Sequence, residues 1–431
     1  MSERCPNYRR WLLLVLVVAF ALRLGAAFWW ESRIAPGTQF AWGDSYSYWI
    51  LGEKIARGEP YEYGPGPARV FRTPGYPFVL SSLLMFSDEP PVLWARVLGC
   101  LFGAATVGGV IWLTRCLFSE RGSLIAGLLA ALYPGAIGMS VFVLSEAPFC
   151  PLMLGQLVAW IAAYQTSNAR QTTAYALLAG VLAGLATLVR PSWLLFTPFA
   201  CGVGITFAGQ RRRQLLVGIA MAAGIIVSML PWWVRNYGIT GKLTLTTTQF
   251  GASLYDGLNP NATGESDMQF VARFVEEQRQ ADAASGNTPL GTFEERLDDR
   301  MRDASVAWMQ QHPGRALQLA AIKVARMWSP WPNAAQFQSW RFRVLILGGY
   351  LPLIVLAVWG AIRFCRQDWS FSLCVMPAIY FTCLHAVFIG SIRYRQPPML
   401  ALIVLASGII DGWWRNRLAA ERTSKDLDAA A

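Results

Sequence analysis

Five arginines and two carboxylates stand out because they lie at the ends of apolar segments, where a charge is costly. Arginine carries a planar, permanently charged group whose donors match the oxygens of a phosphate. A carboxylate among apolar and aromatic neighbours can take a proton from a hydroxyl group. Together they allow group transfer from a phosphate ester. The arginines are Arg72, Arg190, Arg235, Arg393 and Arg395, and the carboxylates are Asp44 and Glu146.

The elements that must carry these residues are membrane-spanning helices. Of the 431 residues, 54% are hydrophobic and only 15% are charged, against about 25% charged residues in a soluble domain. This composition excludes a soluble enzyme, a disordered chain and a disulfide scaffold. It predicts an all-α polytopic membrane protein. A spanning helix needs about 20 apolar residues, and ten segments fit approximately: 11–30, 92–113, 122–140, 143–163, 172–189, 193–208, 215–234, 344–362, 371–389 and 399–414.

The distribution of arginine and lysine predicts which connections share one side of the membrane. Short connections rich in these residues normally face the cytoplasm. Ten spans place all such connections and both termini there, in a multi-pass cell (inner) membrane. The +11 net charge is therefore a topology signal, and no nucleic-acid partner is expected. The cationic positions are Arg4, Arg9, Arg10, Arg115, Arg121, Arg170, Arg211, Arg212, Arg213, Arg363, Arg366, Arg415, Arg417, Arg422 and Lys425.

Two long connections fall on the outer side, residues 31–91 and 235–343. In the first, residues 45–55 predict a short amphipathic helix, and the apolar run 74–86 predicts an interfacial or re-entrant helix. The second is rich in acidic residues, and Thr292 followed by Glu295 resembles a capping box that starts a helix of a small lid. We therefore divide the chain into an N-terminal membrane region (1–234), the outer loop or lid (235–343) and a C-terminal membrane region with its tail (344–431).

The seven outer charges also have plainer explanations. Snorkelling to lipid headgroups accounts for any single arginine at a membrane edge, although less well for the whole set. Arg23 lies inside the first span and Arg96 one turn into the second, where a charge is expensive. Asp44 could cap the helix that follows it. Glu146 could be a structural carboxylate satisfied by a neighbouring helix or arginine.

Metal chemistry is not expected. The eight cysteines lie in or beside apolar runs without the spacing of a metal site, and there are only two histidines, His312 and His385. We interpret the cysteines as small buried apolar residues.

The order and spacing of several short motifs resemble the GT-C superfamily of integral membrane glycosyltransferases, which use polyprenyl-phosphate sugars. The likeness extends over nearly the whole chain and is greatest to bacterial relatives of protein O-mannosyltransferases, aminoarabinose transferases and Rgt-type glycosyltransferases. The motifs are Ala21-Leu-Arg-Leu24, Asp44 with Tyr48, Gly58 and Tyr61, Arg72-Thr-Pro-Gly-Tyr-Pro77, Ala131-Leu-Tyr-Pro134, Leu144-Ser-Glu146, Arg190-Pro191, Pro231-Trp-Trp-Val-Arg-Asn236 and Arg393-Tyr-Arg-Gln-Pro397.

The resemblance implies an inverting transfer of a sugar from a polyprenyl-phosphate donor to a hydroxyl of a lipid, glycan or protein acceptor, at the outer or periplasmic face and among membrane lipids. It assigns the essential acid of the first outer loop to Asp44, the expected general base. Some members have two adjacent acids, whereas Gly43 and Ser45 flank Asp44 here, so a metal-independent reaction without a cofactor is expected. Substrate contacts are expected from Arg72, Glu146, Arg190, Arg235, Arg393, Tyr394 and Arg395.

Two alternatives from other classes remain. A transporter or flippase of lipid-linked sugars would have polar residues and broken helices near the middle of the membrane. A membrane scaffold without catalysis would tolerate the loss of Asp44 or of the outer arginines.

Overall fold

The structure is a computed structural model that describes residues 5–34, 38–40, 42–64, 68–87, 90–284, 290–332 and 337–430, with side chains up to residue 418. Within these ranges the regular structure is helical apart from one isolated bridge between Tyr63 and Ala68. The helices are α1 (Tyr8–Glu31), α2 (Gly43–Ala56), α3 (Gly75–Leu84), α4 (Val92–Leu117), α5 (Glu120–Leu132), α6 (Pro134–Val141), α7 (Glu146–Gln165), α8 (Ala169–Val189), α9 (Phe196–Phe207), α10 (Arg211–Thr240), α11 (Phe250–Gly257), α12 (Phe270–Ala284), α13 (Phe293–Gln311), α14 (Pro313–Met327), α15 (Trp340–Phe364), α16 (Trp369–Leu373), α17 (Met376–Val387) and α18 (Gln396–Ala430).

The all-α membrane fold predicted from the sequence is confirmed, and eight helical segments of the described chain are long and apolar enough to cross a membrane. A ninth span results if α5 and α6, which are bent by 57°, are counted together. The eight are α1, α4, α7, α8, α10, α15, Trp369–Val387 and Gln396–Leu418.

The sixth expected span, 193–208, is shorter than predicted. It consists of a 3-10 turn, Pro191–Trp193, and the 12-residue helix α9, which is only about 18 Å long at 1.5 Å per residue. Pro191 explains why α8 ends at Val189, because proline disfavours helical backbone in the residue before it, and Arg190 is extended (φ −140°). The 3-10 turn that follows includes Trp193, the first residue of the expected span, and α9 begins only at Phe196. Counting apolar residues therefore overstated the length of this helix.

The third expected span is broken at Tyr133, between α5 and α6. Pro134 has no N–H to donate to the carbonyl of Ala130, so this end of α5 needs other donors. Arg23 supplies them: its Nη2 lies 3.2 Å from the carbonyl oxygen of Ala130, and its Nη1 lies 3.3 Å from that of Ala131. The charge inside the first span is thus fully buried and holds a broken helix, rather than snorkelling.

The short connections that were predicted to share one side lie together at one end of the bundle. Ser119 Oγ donates to Asp411 on α18 at 2.9 Å. Arg213, at the start of α10, donates from Nη2 to the carbonyl oxygens of Tyr164 and Thr166, at 2.9 and 2.7 Å, where α7 ends. Which side of a membrane this end faces stays a prediction.

The opposite end carries the helices predicted for the two long loops. Helices α2 and α3 match the short helices expected at 45–55 and 74–86, and they pack against each other. Helix α13 begins with the expected capping box, in which Thr292 and Glu295 each accept a hydrogen bond from the other's backbone N–H. Helices α11 to α14 are called the lid below. The division of the chain at residues 234 and 343 stays a prediction.

Candidate active site

Asp44 lies in the first turn of α2 and faces two arginines. The helix begins at Gly43 with Trp42 in the N-cap position, so Asp44 does not cap it, contrary to the simpler interpretation. Its Oδ1 is 2.6 Å from Nη2 of Arg72, and its Oδ2 is 2.9 Å from Nη1 of Arg393. The Asp44 side chain is 35% exposed, so an incoming molecule can reach it.

Arg393 joins Asp44 to a second, fully buried carboxylate. Its Nε and Nη2 donate to the two oxygens of Glu146, at 2.5 and 3.1 Å. Glu146, the first residue of α7, also pairs with Nη1 of Arg190 at 2.8 Å and is 0% exposed. The plainer interpretation of Glu146, that neighbouring arginines satisfy it, therefore holds in this structure. The ion cluster, as we name it, consists of Asp44, Arg72, Glu146, Arg190 and Arg393.

Local backbone features place the members of the cluster. Arg72 precedes Thr73 and Pro74, and the hydroxyl of Tyr61 donates to the carbonyl oxygens of Arg72 and Thr73, at 3.0 and 3.3 Å. Arg190 follows the last residue of α8. Arg393 lies in the turn between α17 and α18, whose first residue is Gln396. The five members of the cluster thus come from five separate positions in the sequence and meet at one point.

Aromatic rings line the cluster. The Arg72 guanidinium lies 5.1 Å from the ring centre of Tyr48, one turn after Asp44 on α2. Tyr394, an expected site residue, lies beneath the guanidinium groups of Arg190 and Arg393, at 5.5 and 5.8 Å. Such contacts stabilise cations and fix their orientation.

Two further residues of this region were not predicted as site residues. His385 stacks on Tyr394 with ring centres 3.8 Å apart, and a lone histidine in an apolar span carries no sequence signal for this contact. Ser47 Oγ lies 3.2 Å from Nε of Arg72. Its spacing, three residues after Asp44, places it on the same face of α2 and could have pointed to it.

The electrostatics of the cluster favour full ionisation and leave one positive charge. Burial alone would raise the pKa of Asp44, but the charges of Arg72 and Arg393 outweigh it and hold this pKa below its usual range. Burial opposes the charge of Arg393 as well, yet Glu146 and Asp44 raise the pKa of this guanidinium above its usual value. Three guanidinium groups against two carboxylates leave a surplus of one positive charge, which suits an anionic ligand.

Arg235 lies outside the ion cluster. Its Nη1 donates to the carbonyl oxygen of Arg69 at 3.1 Å and its Nη2 to that of Tyr61 at 3.3 Å. Its guanidinium also lies 4.8 Å from the ring centre of Trp232. Through these contacts Arg235 holds the first outer loop, and it binds backbone carbonyl groups there rather than a carboxylate of the ion cluster.

Arg395 points elsewhere although it is only two residues from Arg393. It is 0% exposed, lies 3.7 Å from the ring centre of Tyr350, and donates to the carbonyl oxygen of Ser329. It therefore joins the end of the lid to α15. Among the residues that the structure describes, no group of three or more histidine, cysteine or acidic side chains could hold a metal ion.

The chain is similar to several known proteins. Residues 72–234, less than half of the chain, match a family model described as dolichyl-phosphate-mannose-protein mannosyltransferase. The crystal structure of the Archaeoglobus fulgidus oligosaccharyltransferase in the apo form is similar, with 17% sequence identity and a TM-score of 0.60 over 96% of this chain and 52% of that chain. The archaeal oligosaccharyltransferase AglB from the same organism, in complex with an inhibitory peptide and a dolichol-phosphate, has 18% identity and a TM-score of 0.57 over 97% and 52% of the two chains.

ArnT from Cupriavidus metallidurans bound to undecaprenyl phosphate matches less closely, with 14% identity and a TM-score of 0.47 over 92% of this chain and 77% of that chain. No curated protein matches the sequence significantly. The chain spans about half the length of the archaeal structures, whose likeness shows a shared fold. The resemblance noted in the sequence is thereby confirmed.

Proposed function

We propose that this chain, which has the fold of the GT-C membrane glycosyltransferases, transfers a sugar from a polyprenyl-phosphate donor to a hydroxyl group of a lipid, glycan or protein acceptor. The observation that carries the proposal is the ion cluster, because it combines a partly exposed carboxylate with a surplus positive charge. In this arrangement Asp44 is the general base, and Arg72, Arg190 and Arg393 hold the donor phosphate.

The reaction is a single displacement. The acceptor oxygen attacks the anomeric carbon of the sugar, the bond from that carbon to the phosphate oxygen breaks, and its electron pair leaves with the polyprenyl phosphate. Asp44 takes the proton of the attacking hydroxyl, and the configuration at the anomeric carbon inverts. The donor phosphate carries one negative charge and the released phosphate up to two, so the arginines bind the transition state more tightly than the donor.

Binding of the donor phosphate makes Asp44 a stronger base. In the resting cluster Asp44 is bound to both Arg72 and Arg393, which lowers its pKa and makes it a weak proton acceptor. A phosphate that takes over part of these arginine contacts withdraws positive charge from Asp44. The pKa of Asp44 then rises towards its usual value, and its power as a base rises with it.

The site belongs, in this proposal, to the outer or periplasmic face of a cell membrane, with both termini in the cytoplasm. The support is the excess of arginine in the short connections at the other end of the bundle, among them Arg170 and the group Arg211, Arg212 and Arg213. The apolar chain of the donor would remain in the bilayer while its phosphate reaches the cluster from the membrane edge.

The test is transfer of label. Purified protein is incubated with a polyprenyl-phosphate sugar radiolabelled in the sugar and with a cell-envelope extract as the source of acceptors. The proposal predicts label in an acceptor and release of equimolar polyprenyl phosphate, both strongly reduced by Asp44→Asn in folded protein. Transfer by Asp44→Asn at the wild-type rate would remove Asp44 from the base role.

One observation favours the alternative, a flippase of lipid-linked sugars: the helix broken between α5 and α6 lies beside the buried cation Arg23. The cavity there has a volume of about 10 Å³, enough for roughly one water molecule. Arg23 is bound to backbone carbonyl groups rather than facing a passage, so the transferase remains the better supported function. A flippase would move intact labelled donor across a vesicle bilayer without releasing polyprenyl phosphate.

A further inference from the structure

The segment that carries Arg72 is held from outside rather than by regular structure of its own. Residues 69–73 follow Ala68, which forms the isolated bridge with Tyr63, and they precede α3. Arg235 binds the carbonyl oxygen of Arg69, and Tyr61 binds that of Arg72. These contacts account for carbonyl groups only, so the N–H groups of the segment need an acceptor from elsewhere.

The acceptor is Glu294, the second residue of lid helix α13. Its Oε1 accepts from the N–H of Arg69 at 3.0 Å, and its Oε2 accepts from the N–H of Val70 at 3.1 Å. Thr248, ahead of the lid, adds its hydroxyl to Oε2 at 2.9 Å and its own N–H to the carbonyl oxygen of Val70 at 3.0 Å. One carboxylate therefore accepts hydrogen bonds from two successive N–H groups, which belong to the residues three and two positions before Arg72.

We propose that Glu294 is a positioning residue for Arg72 and that it makes the lid part of the active site. The inference rests on the proposed function, because Arg72 is the arginine that binds both Asp44 and, when present, the donor phosphate. Hydrogen bonds to a carboxylate are about twice as strong as neutral ones, and these two fix the backbone from which the Arg72 side chain extends. Any displacement of the start of α13 is then transmitted to Arg72.

The neighbouring glutamate provides a matched comparison. Glu295 is also in the first turn of α13, but its Oε2 accepts from the N–H and hydroxyl of Thr292, at 2.9 and 3.1 Å, and thus caps its own helix. Glutamine is accepted at this position of a capping box. Glu295→Gln therefore makes the same chemical change one residue away, without touching the segment that carries Arg72.

The experiment combines hydrogen exchange with binding and kinetics. Glu294→Gln should accelerate amide exchange at Arg69 and Val70 about tenfold, the loss expected for a weakened charged hydrogen bond, while the amides of α13 keep their protection. Affinity for undecaprenyl phosphate and kcat should both fall about tenfold, with the KM for the acceptor unchanged. Glu295→Gln should leave the exchange at Arg69 and Val70, the affinity for undecaprenyl phosphate, kcat and the KM for the acceptor as in the wild type.

A double variant of Glu294 and Arg72 decides whether Glu294 positions Arg72 or has only a structural role. In the background Arg72→Gln, Glu294→Gln should cause no additional loss of affinity for undecaprenyl phosphate, since the side chain through which it acts is gone. Additive losses, or unchanged exchange at Arg69 and Val70, would overturn the inference. The exchange measurement does not depend on catalysis, so absence of sugar transfer in the wild type would refute the proposed function and leave the structural link to Glu294 measurable.

Discussion

Glu146 and Arg393 should have opposite effects on the binding of a lipid phosphate, although they form one ion pair. Glu146→Gln changes the charge of the cluster from +1 to +2, and Arg393→Gln changes it to zero. The first variant should bind undecaprenyl phosphate more tightly and the second more weakly. A purely structural role for this pair predicts that breaking it from either side harms binding.

The magnitude follows from the position of the charges. Two unit charges 4 Å apart interact by about 4 kcal/mol at an effective dielectric constant of about 20. The partial exposure of Asp44, 35%, admits water, and the bound phosphate need not lie that close to Glu146. A change of about 1.4 to 2.8 kcal/mol is therefore expected, which is tenfold to a hundredfold in Kd. Arg393→Gln should lie at the upper end, because it also removes donors.

The assay is titration of purified protein in detergent with undecaprenyl phosphate at low and high salt. Asp411→Asn is the matched control: Asp411 is a buried carboxylate that binds Ser119 and Arg415 at the other end of the bundle. It changes the net charge by the same amount but lies on α18, which begins at Gln396 next to the cluster. The helix places it about 22 Å along its axis from that end at 1.5 Å per residue, beyond the Debye length of about 10 Å. Weaker binding by Glu146→Gln, or equal tightening by Asp411→Asn, would refute the charge-balance reasoning.

Asp44→Asn should lower kcat by about 10²- to 10⁴-fold, the range of a general base, yet bind undecaprenyl phosphate at least as tightly as the wild type; weaker binding would contradict the cluster's charge balance. Because Arg72 and Arg393 hold the pKa of Asp44 below its usual range, the wild-type profile of kcat/KM against pH should show no loss from this group above about pH 4. Arg72→Gln should move that loss to higher pH, and an unshifted profile would contradict the assigned cause. Burial raises the pKa of Asp298 in α13 to about 6, above the value of about 3.9 in an unfolded chain. The contribution of Asp298 to stability is therefore complete below pH 4 and is lost as the pH rises through 6. Asp298→Asn should then stabilise the lid at pH 7 by about 1 to 2 kcal/mol after allowance for solvent screening, with little change at pH 4; equal amide exchange of α13 in both proteins at pH 7 would be the contrary result.

The sequence was sufficient for the main features of the fold because hydropathy and length decide which helices can cross a membrane. Two details were beyond it. The break at Pro134 depends on Arg23, which lies more than a hundred residues away and satisfies the freed carbonyl groups. The short helix α9 begins only after the 3-10 turn Pro191–Trp193. The length of an apolar segment shows how many residues could lie in a membrane. It does not show where the helix breaks or which distant residues it contacts.

The candidate site was predictable as a set of residues but not as an arrangement. Scarcity of charge singled out Asp44 and the outer arginines. It could not separate Arg393, which binds two carboxylates, from Arg395, which faces Tyr350 two residues later. The contact between Asp44 and Arg393 joins residues 349 positions apart, and such pairs depend on helix packing that periodicity does not encode. The contacts of Glu294 with residues 69 and 70 depend on helix packing in the same way.

The most direct test of the central claim is an experimental structure of the protein in a lipid bilayer with undecaprenyl phosphate bound. The phosphate should lie within hydrogen-bonding distance of at least two of Arg72, Arg190 and Arg393, and Asp44 should have lost at least one of its two arginine contacts. A phosphate bound at Arg235 or Arg395 instead, with the ion cluster unchanged, would contradict it.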